Sequence, residues 1–219
     1  VFNSIFFIFC FLPVFMLIYY LVPGKLRNLL LFLGSLIFYA WGEPVYVILM
    51  LFSSIFNYYM GTELERLYYD DRKQKINLIF SIIINLAVLV FFKYYGFLLN
   101  TIGGIIGIHI PHPELSLPIG LSFYTFRNLS YLFDIYLSKV SAQRNFLTFA
   151  VYSTMFPYTS AGPIVRYTDI ETQLKQRTIN ISKFGIGAEL FVKGLAKKVL
   201  LADNLSVLCS SICGHPQMS

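Results

Sequence analysis

Residues 76–99 read INLIFSIIINLAVLVFFKYYGFLL, and Lys93 is the one charged side chain among them. An α-helix needs about 20 apolar residues to cross the roughly 30 Å hydrocarbon core of a bilayer. This stretch exceeds that length and predicts a membrane span. The rest of the chain agrees with it. Of the 219 residues, 57% are hydrophobic, 18% aromatic and only 13% charged, where a soluble domain carries about 25% charged residues. The mean hydropathy is +0.66, too apolar for a water-soluble domain or a disordered chain. Three cysteines are too few for a disulfide scaffold.

The same reading predicts four more spans: Ile5 to Val22 with a bend at Pro13, Leu29 to Trp41, Val45 to Met60, and Pro118 to Leu137. Phe146 to Tyr158 is too short to cross and ends in prolines, so it is expected to be re-entrant. In Phe184 to Leu201, Glu189, Lys193 and Lys197 form a charged ladder at i, i+4 spacing, and Phe191, Leu195 and Val199 lie on another side. That pattern predicts an amphipathic helix on the cytoplasmic side. The fold expected is an all-α polytopic membrane protein with about five transmembrane helices, one re-entrant segment and one amphipathic helix.

Charge gives an orientation. Loops 23–28, 61–75, 138–145 and 159–183 carry twelve Lys and Arg residues, whereas loops 42–44 and 99–117 carry none. Basic loops stay in the cytoplasm, so the N-terminus is expected outside in a multi-pass protein of the cytoplasmic membrane. The net charge of +6 then needs no nucleic-acid partner. The 61–75 loop also holds Glu63, Glu65, Asp70 and Asp71 and reads as a mixed-charge solvated segment.

Polar side chains inside a span are costly to bury and mark candidate sites. In the fifth span Tyr124, Arg127, Tyr131 and Asp134 recur at helical spacing, with Ser130 beside them, as one polar stripe. Arg127 and Asp134 stand about 10.5 Å apart along a helix axis, too far to pair directly. The stripe therefore either lines a polar path through the bundle or anchors neighbouring helices. Lys93, beside Tyr94 and Tyr95, reads as a snorkelling residue.

Other chemistry is sparse. His109 and His112 flank Pro111, and no third ligand completes a tetrahedral metal set. Cys209, Cys213 and His215 follow no zinc-binding spacing, and Cys10 packs as a small hydrophobe. No P-loop, dinucleotide turn or nucleophile elbow occurs. No bound cofactor or metal is expected.

The stretch 117–126, LPIGLSFYTF, continues to Ser130-Tyr131 and Asp134-Ile135-Tyr136. With it go Phe2-Asn3-Ser4, Phe38-Tyr39-Ala40-Trp41-Gly42, Phe92-Lys93-Tyr94-Tyr95, Phe156-Pro157, the 161–167 stretch AGPIVRY, and the 194–203 stretch GLAKKVLLAD. In this order they closely resemble the membrane-bound O-acyltransferase family, in the branch containing the alginate O-acetylation and teichoic acid D-alanyl transfer proteins. The alginate side of the branch is the nearer in wording.

The resemblance implies an enzyme that carries an acyl group from a cytoplasmic donor, acetyl-CoA or an acylated carrier, to hydroxyls of an extracytoplasmic polysaccharide such as alginate. Such a reaction needs a general base for the hydroxyl and polar groups at the acyl carbonyl. It also implies partner proteins: extracytoplasmic polysaccharide-modifying proteins or a cytoplasmic acyl carrier. Tyr124, Arg127, Ser130, Tyr131 and Asp134 are then the substrate-path candidates, with Arg166, Lys197 and Lys198 on the cytoplasmic side. The family's catalytic His has no counterpart here and is expected beyond Ser219. Residues 1–208 are thus expected to form the N-terminal part of the acyltransferase domain, with 209–219 a truncated or out-of-frame tail and the chain inactive alone. A transporter or flippase component, or a non-catalytic membrane scaffold, are the alternative readings of the residues.

Overall fold

The computed structural model describes residues 6–106, 117–159, 163–177 and 180–213, and every regular element among them is helical. The chain divides into two compact units, one of Val1–Leu21 with Arg177–Ser219 and one of Val22–Gln176.

The larger unit contains six helices: α2 (Arg27–Gly42), α3 (Val47–Arg66), α4 (Asp71–Ile106), α5 (Leu121–Tyr136), α6 (Phe146–Thr154) and α7 (Tyr167–Lys175). Helices α3 and α4 are long and apolar enough to cross a membrane. Helices α2 and α5 have 16 residues each, about 24 Å of rise at 1.5 Å per residue.

The expected 61–75 loop is largely helix, and the expected 99–117 loop begins as one. The 61–75 segment is the end of α3, a short turn at Leu67–Asp70 and the start of α4, and α4 runs on to Ile106 through the first part of the expected 99–117 loop. Local chemistry explains the first correction. Glu63, Glu65 and Arg66 are good helix formers, and Arg66 pairs with Glu63 at 3.2 Å. Asp70 then starts α4 by accepting a hydrogen bond from the Lys73 amide at 3.1 Å. Its carboxylate also pairs with the Lys73 ammonium at 2.8 Å, which holds the Asp70 pKa below and the Lys73 pKa above their ordinary values, mainly through that side-chain hydrogen bond.

Helix α5 occupies the centre, packed by α3, α4 and α6, with ten of its sixteen residues buried. Gly61 lets α3 approach it closely. A Cβ there would lie 2.8 Å from Tyr131 Cε1 and 3.1 Å from Ile135 Cδ1. Tyr39, Met50, Leu89, Leu121 and Tyr124 form the apolar cluster that joins α2, α3, α4 and α5. Phe146 to Tyr158 is a nine-residue helix capped by the Asn145 side chain, followed by a break at Met155 and one 3-10 turn at Phe156–Tyr158. Lys93 lies 5.5 Å from the Tyr94 ring.

In the smaller unit a π turn at Phe7–Phe11 leads into α1 (Leu12–Leu21). Pro13 sits within this helix, where its ring would clash with the Phe9 carbonyl of a regular α-turn. The widened turn accommodates that clash. Helix α8 (Ile181–Lys197) continues through a second π turn, Lys198–Ala202, into α9 (Asp203–Cys213). The 209–213 part of the expected atypical tail is therefore helix. On α8, Lys193 pairs with Glu189 at 2.5 Å, and Phe184 meets Tyr20 edge to face at 5.7 Å.

Candidate functional site

The stripe on α5 is buried along four of its five positions: Tyr124, Arg127, Tyr131 and Asp134 are inside, and Ser130 is half-buried. Arg127 is only 1% exposed. A guanidinium in that position must spend its donors on acceptors nearby. Arg127 Nη1 donates to the carbonyls of Tyr152 at 3.0 Å and Ser153 at 3.2 Å, and Nη2 donates to the carbonyl of Tyr158. The Tyr158 ring faces the same group, 5.7 Å from Cζ to centroid.

These acceptors have a common origin. Helix α6 stops at Thr154 and leaves its last carbonyls without intrahelical donors. A cation at a helix C-terminus is the favourable partner for them. Arg127 thus binds the broken end of α6 and the following 3-10 turn in one grip. The Tyr152 hydroxyl returns a hydrogen bond to the Arg127 carbonyl at 3.1 Å, with the Val165 carbonyl at 3.3 Å.

The break has three further holds. Ser35 Oγ on α2 accepts from the Phe156 amide at 3.1 Å. The Thr159 hydroxyl lies within reach of the carbonyls of Met155 at 3.0 Å and Thr154 at 3.2 Å. Gly120, just before α5, has φ +76, and a Cβ on it would overlap the Thr159 carbonyl oxygen. Buried backbone that leaves the helical ladder needs other partners, and here protein groups supply them.

Beside this grip lies an aromatic cluster. Tyr131, Phe149, Tyr152 and Tyr167 are fully buried, with centroids 4.8 Å apart for Tyr131–Phe149 and 5.1 Å for Tyr131–Tyr167. Gln143 satisfies two of the phenols: its amide N–H donates to Tyr131 Oη at 2.8 Å and its Nε2 to Tyr167 Oη at 2.6 Å. Burial pushes the Tyr167 phenol up to about 12. Asp134 lies 4.0 Å from Lys139 through Oδ1. Its Oδ2, together with Tyr124 Oη, Arg127 Nε and Asn128 Oδ1, is buried without a hydrogen-bond partner.

A second polar layer crosses the helices. Asn57 and Asn85 exchange reciprocal amide hydrogen bonds of 3.0 and 2.8 Å between α3 and α4. Asn128 donates to Ser53 Oγ at 3.2 Å, and Ser54 to Ser153 Oγ at 3.0 Å. The sequence reading did not single out these residues, nor Gln143 and Tyr152. An isolated amide in an apolar span is visible in a sequence, but its partner is not.

The other candidates stand apart from this network. Arg166 is exposed; its backbone amide donates to Asp169 Oδ2 at 3.3 Å, which starts α7. Lys197 and Lys198 are exposed at the junction of α8 with its π turn, in the smaller unit. His109, His112 and His215 lie outside the described residues. Among the described residues no group of three His, Cys, Asp or Glu side chains could hold a metal ion. Chemically, the α5 site offers one fixed cation and several phenols and amides, held in place from four helices.

No family model matches the chain, and no solved structure matches it either. Curated relatives do. The chain is 38% identical over 212 residues to "Probable alginate O-acetylase AlgI" of Pseudomonas aeruginosa, covering 95% of the chain and 41% of that protein. The protein of the same name from Azotobacter vinelandii is 37% identical over 210 residues, 94% of the chain and 42% of the relative. "Peptidoglycan O-acetyltransferase" of Helicobacter pylori is 32% identical over 235 aligned positions, 93% of the chain and 44% of the relative. The chain thus spans about two fifths of the length of the relatives it matches. Over nearly all of its length the chain is thus similar to part of proteins named as alginate and peptidoglycan O-acetylating enzymes.

Proposed function

We propose that the chain is part of a membrane-embedded O-acetyltransferase that moves an acetyl group from a cytoplasmic donor to hydroxyls of an extracytoplasmic polysaccharide of alginate type. The observation that carries this reading is the identity of 35–38% over about 95% of the chain to relatives named alginate O-acetylase. The buried network supports it physically. An acetyl group crossing a bilayer needs a polar route, and Arg127, Tyr124, Tyr131 and Asp134 place polar groups along one helix.

In this reading Arg127 fixes the irregular 155–159 backbone that borders the route, and the unpartnered Tyr124 and Asp134 oxygens face the transferred group or its carrier. Arg166, Lys197 and Lys198 attract the anionic donor from the cytoplasmic side. The general base for the acceptor hydroxyl is supplied by the remaining part of the longer protein.

A hybrid tests this. The chain replaces the matching segment of the Pseudomonas aeruginosa relative in a strain that lacks its own acetylase, and acetyl ester on secreted alginate is measured by infrared absorption or NMR. Ester above the empty-vector level supports the reading. A hybrid that reaches the membrane at the level of the unmodified relative and leaves the alginate free of ester overturns it. So does wild-type ester content when Arg127, Asp134 and Arg166 are each replaced at equal expression, as far as these residues are concerned.

A further inference from the structure

The turn between α3 and α4 and the C-terminal end of α5 enclose an open hollow of about 630 Å³, lined by Tyr68, Tyr69, Asp71, Gln74, Lys75 and Tyr136. Three tyrosines share it with one carboxylate and one ammonium.

Asp71 and Lys75 stand at i, i+4 on α4, the spacing at which opposite charges on a helix pair. Among the described residues neither has an ion-pair partner. Two other polar groups of the turn are already engaged: Asp70 and Lys73 are paired at 2.8 Å, and Gln74 is committed to the Leu64 carbonyl at 3.1 Å. The hollow therefore presents two uncommitted charges of opposite sign. The tyrosine faces add a third recognition element, since aromatic rings attract organic ammonium groups. Tyr68 and Tyr69 meet edge to face at 5.3 Å, so their rings present differently oriented walls.

Location selects the ligand. The hollow lies where two helices long enough to span a bilayer turn back, and Tyr69 is 96% and Tyr68 51% exposed. Tyrosines in such positions belong at the headgroup level of a membrane.

We propose that this hollow binds the headgroup of a phosphoethanolamine lipid. The lipid ammonium lies among the Tyr68, Tyr69 and Tyr136 rings beside Asp71, its phosphate faces Lys75, and its acyl chains run along the apolar surface of α3 and α4. This inference rests on the reading of α3 and α4 as membrane spans.

The test uses the whole chain, released from nanodiscs of defined composition and weighed by native mass spectrometry. Retained phosphatidylethanolamine should exceed phosphatidylglycerol several-fold. Tyr69→Ala should cut that preference roughly two- to fivefold, the size of one cation–π contact at an exposed site, and Asp71→Asn by up to about fivefold, the size of one exposed ion pair. Asp71→Lys should reverse it in favour of phosphatidylglycerol. All three changes are at exposed positions and leave the core intact, which the circular dichroism of each variant checks. Equal retention of the two lipids, or a preference that survives Asp71→Lys, overturns the proposal. Equal displacement of the lipid by soluble glycerophosphoethanolamine at matched concentration overturns the lipid assignment. A chain recovered outside the membrane fraction would instead refute the spanning reading itself.

Discussion

Replacing Gly120 with Ala should be among the most damaging single-methyl additions to the chain. Gly120 has φ +76, and a side-chain-bearing residue in the left-handed region loses about 1–2 kcal/mol. The added Cβ would also overlap the Thr159 carbonyl oxygen, with Thr159 Cγ2 at 2.9 Å and its carbonyl carbon at 3.0 Å. Two of the three nearest atoms are backbone, so relief requires moving the 155–159 segment. That segment is tied to α5 through the Arg127–Tyr158 contact and to α2 through Ser35. Losing a hydrogen bond to a charged group destabilises by about 1.5–3 kcal/mol. The expected total is about 3–5 kcal/mol, read as loss of unfolding free energy in a denaturant titration of detergent-solubilised protein.

Two companion variants separate the terms. Gly120→Asn tolerates the dihedral angle but keeps the clash, so it should recover about 1 kcal/mol and no more. Gly194→Ala lies in α8 with nothing within 4 Å of the new Cβ and should stabilise its helix by up to about 1 kcal/mol. If Gly120→Ala lies within about 1 kcal/mol of the wild type, the close approach of Gly120 to Thr159 is wrong, and so is the account of how the break is held.

Arg127→Lys should destabilise by about 2–4 kcal/mol, because one ammonium cannot reach three carbonyls that a planar fork serves; limited proteolysis near 155–166 should appear before global unfolding. Gly61→Ala should lower stability by about 1–3 kcal/mol through overpacking against Tyr131 and Ile135, and shortening the ring in Tyr131→Leu should restore part of it in the double variant. Ser138→Gly should raise the unfolding midpoint, since Ser138 has φ 55 at the end of α5 and glycine relieves about 1 kcal/mol there. For Asn57 and Asn85, a double-mutant cycle to Ala should show a coupling of about 0.6–1.7 kcal/mol, the range for interhelical hydrogen bonds in membranes.

Much of the helix inventory was legible because apolar run length and the spacing of Tyr124, Arg127, Tyr131 and Asp134 are properties of one segment at a time. The errors fell where local chemistry outweighed a loop-like composition. Glu63, Arg66, Asp70 and Asp71 looked like a solvated loop, yet they are a helix end, a cap and a helix start. The site was legible only on one side. Arg127 stood out as a charge in an apolar helix, but its partners are main-chain carbonyls of Tyr152, Ser153 and Tyr158, and main-chain groups carry no residue signature. Gly61 and Gly120 were silent for a related reason, since what matters about them is the proximity of Tyr131 and Thr159.

The π turn at Lys198–Ala202 has a bearing on how this chain can vary. Such a turn holds one residue more than an α turn, and Asn204 steadies it by donating to the carbonyls of Leu200 at 2.9 Å and Val199 at 3.4 Å. Deleting a single residue there would leave a continuous α-helix whose two parts keep nearly their present faces, because the residue removed is the extra one that the wide turn carries. The Lys198–Ala202 segment is therefore a point where a one-residue length change between relatives would preserve both helices and the faces that they present.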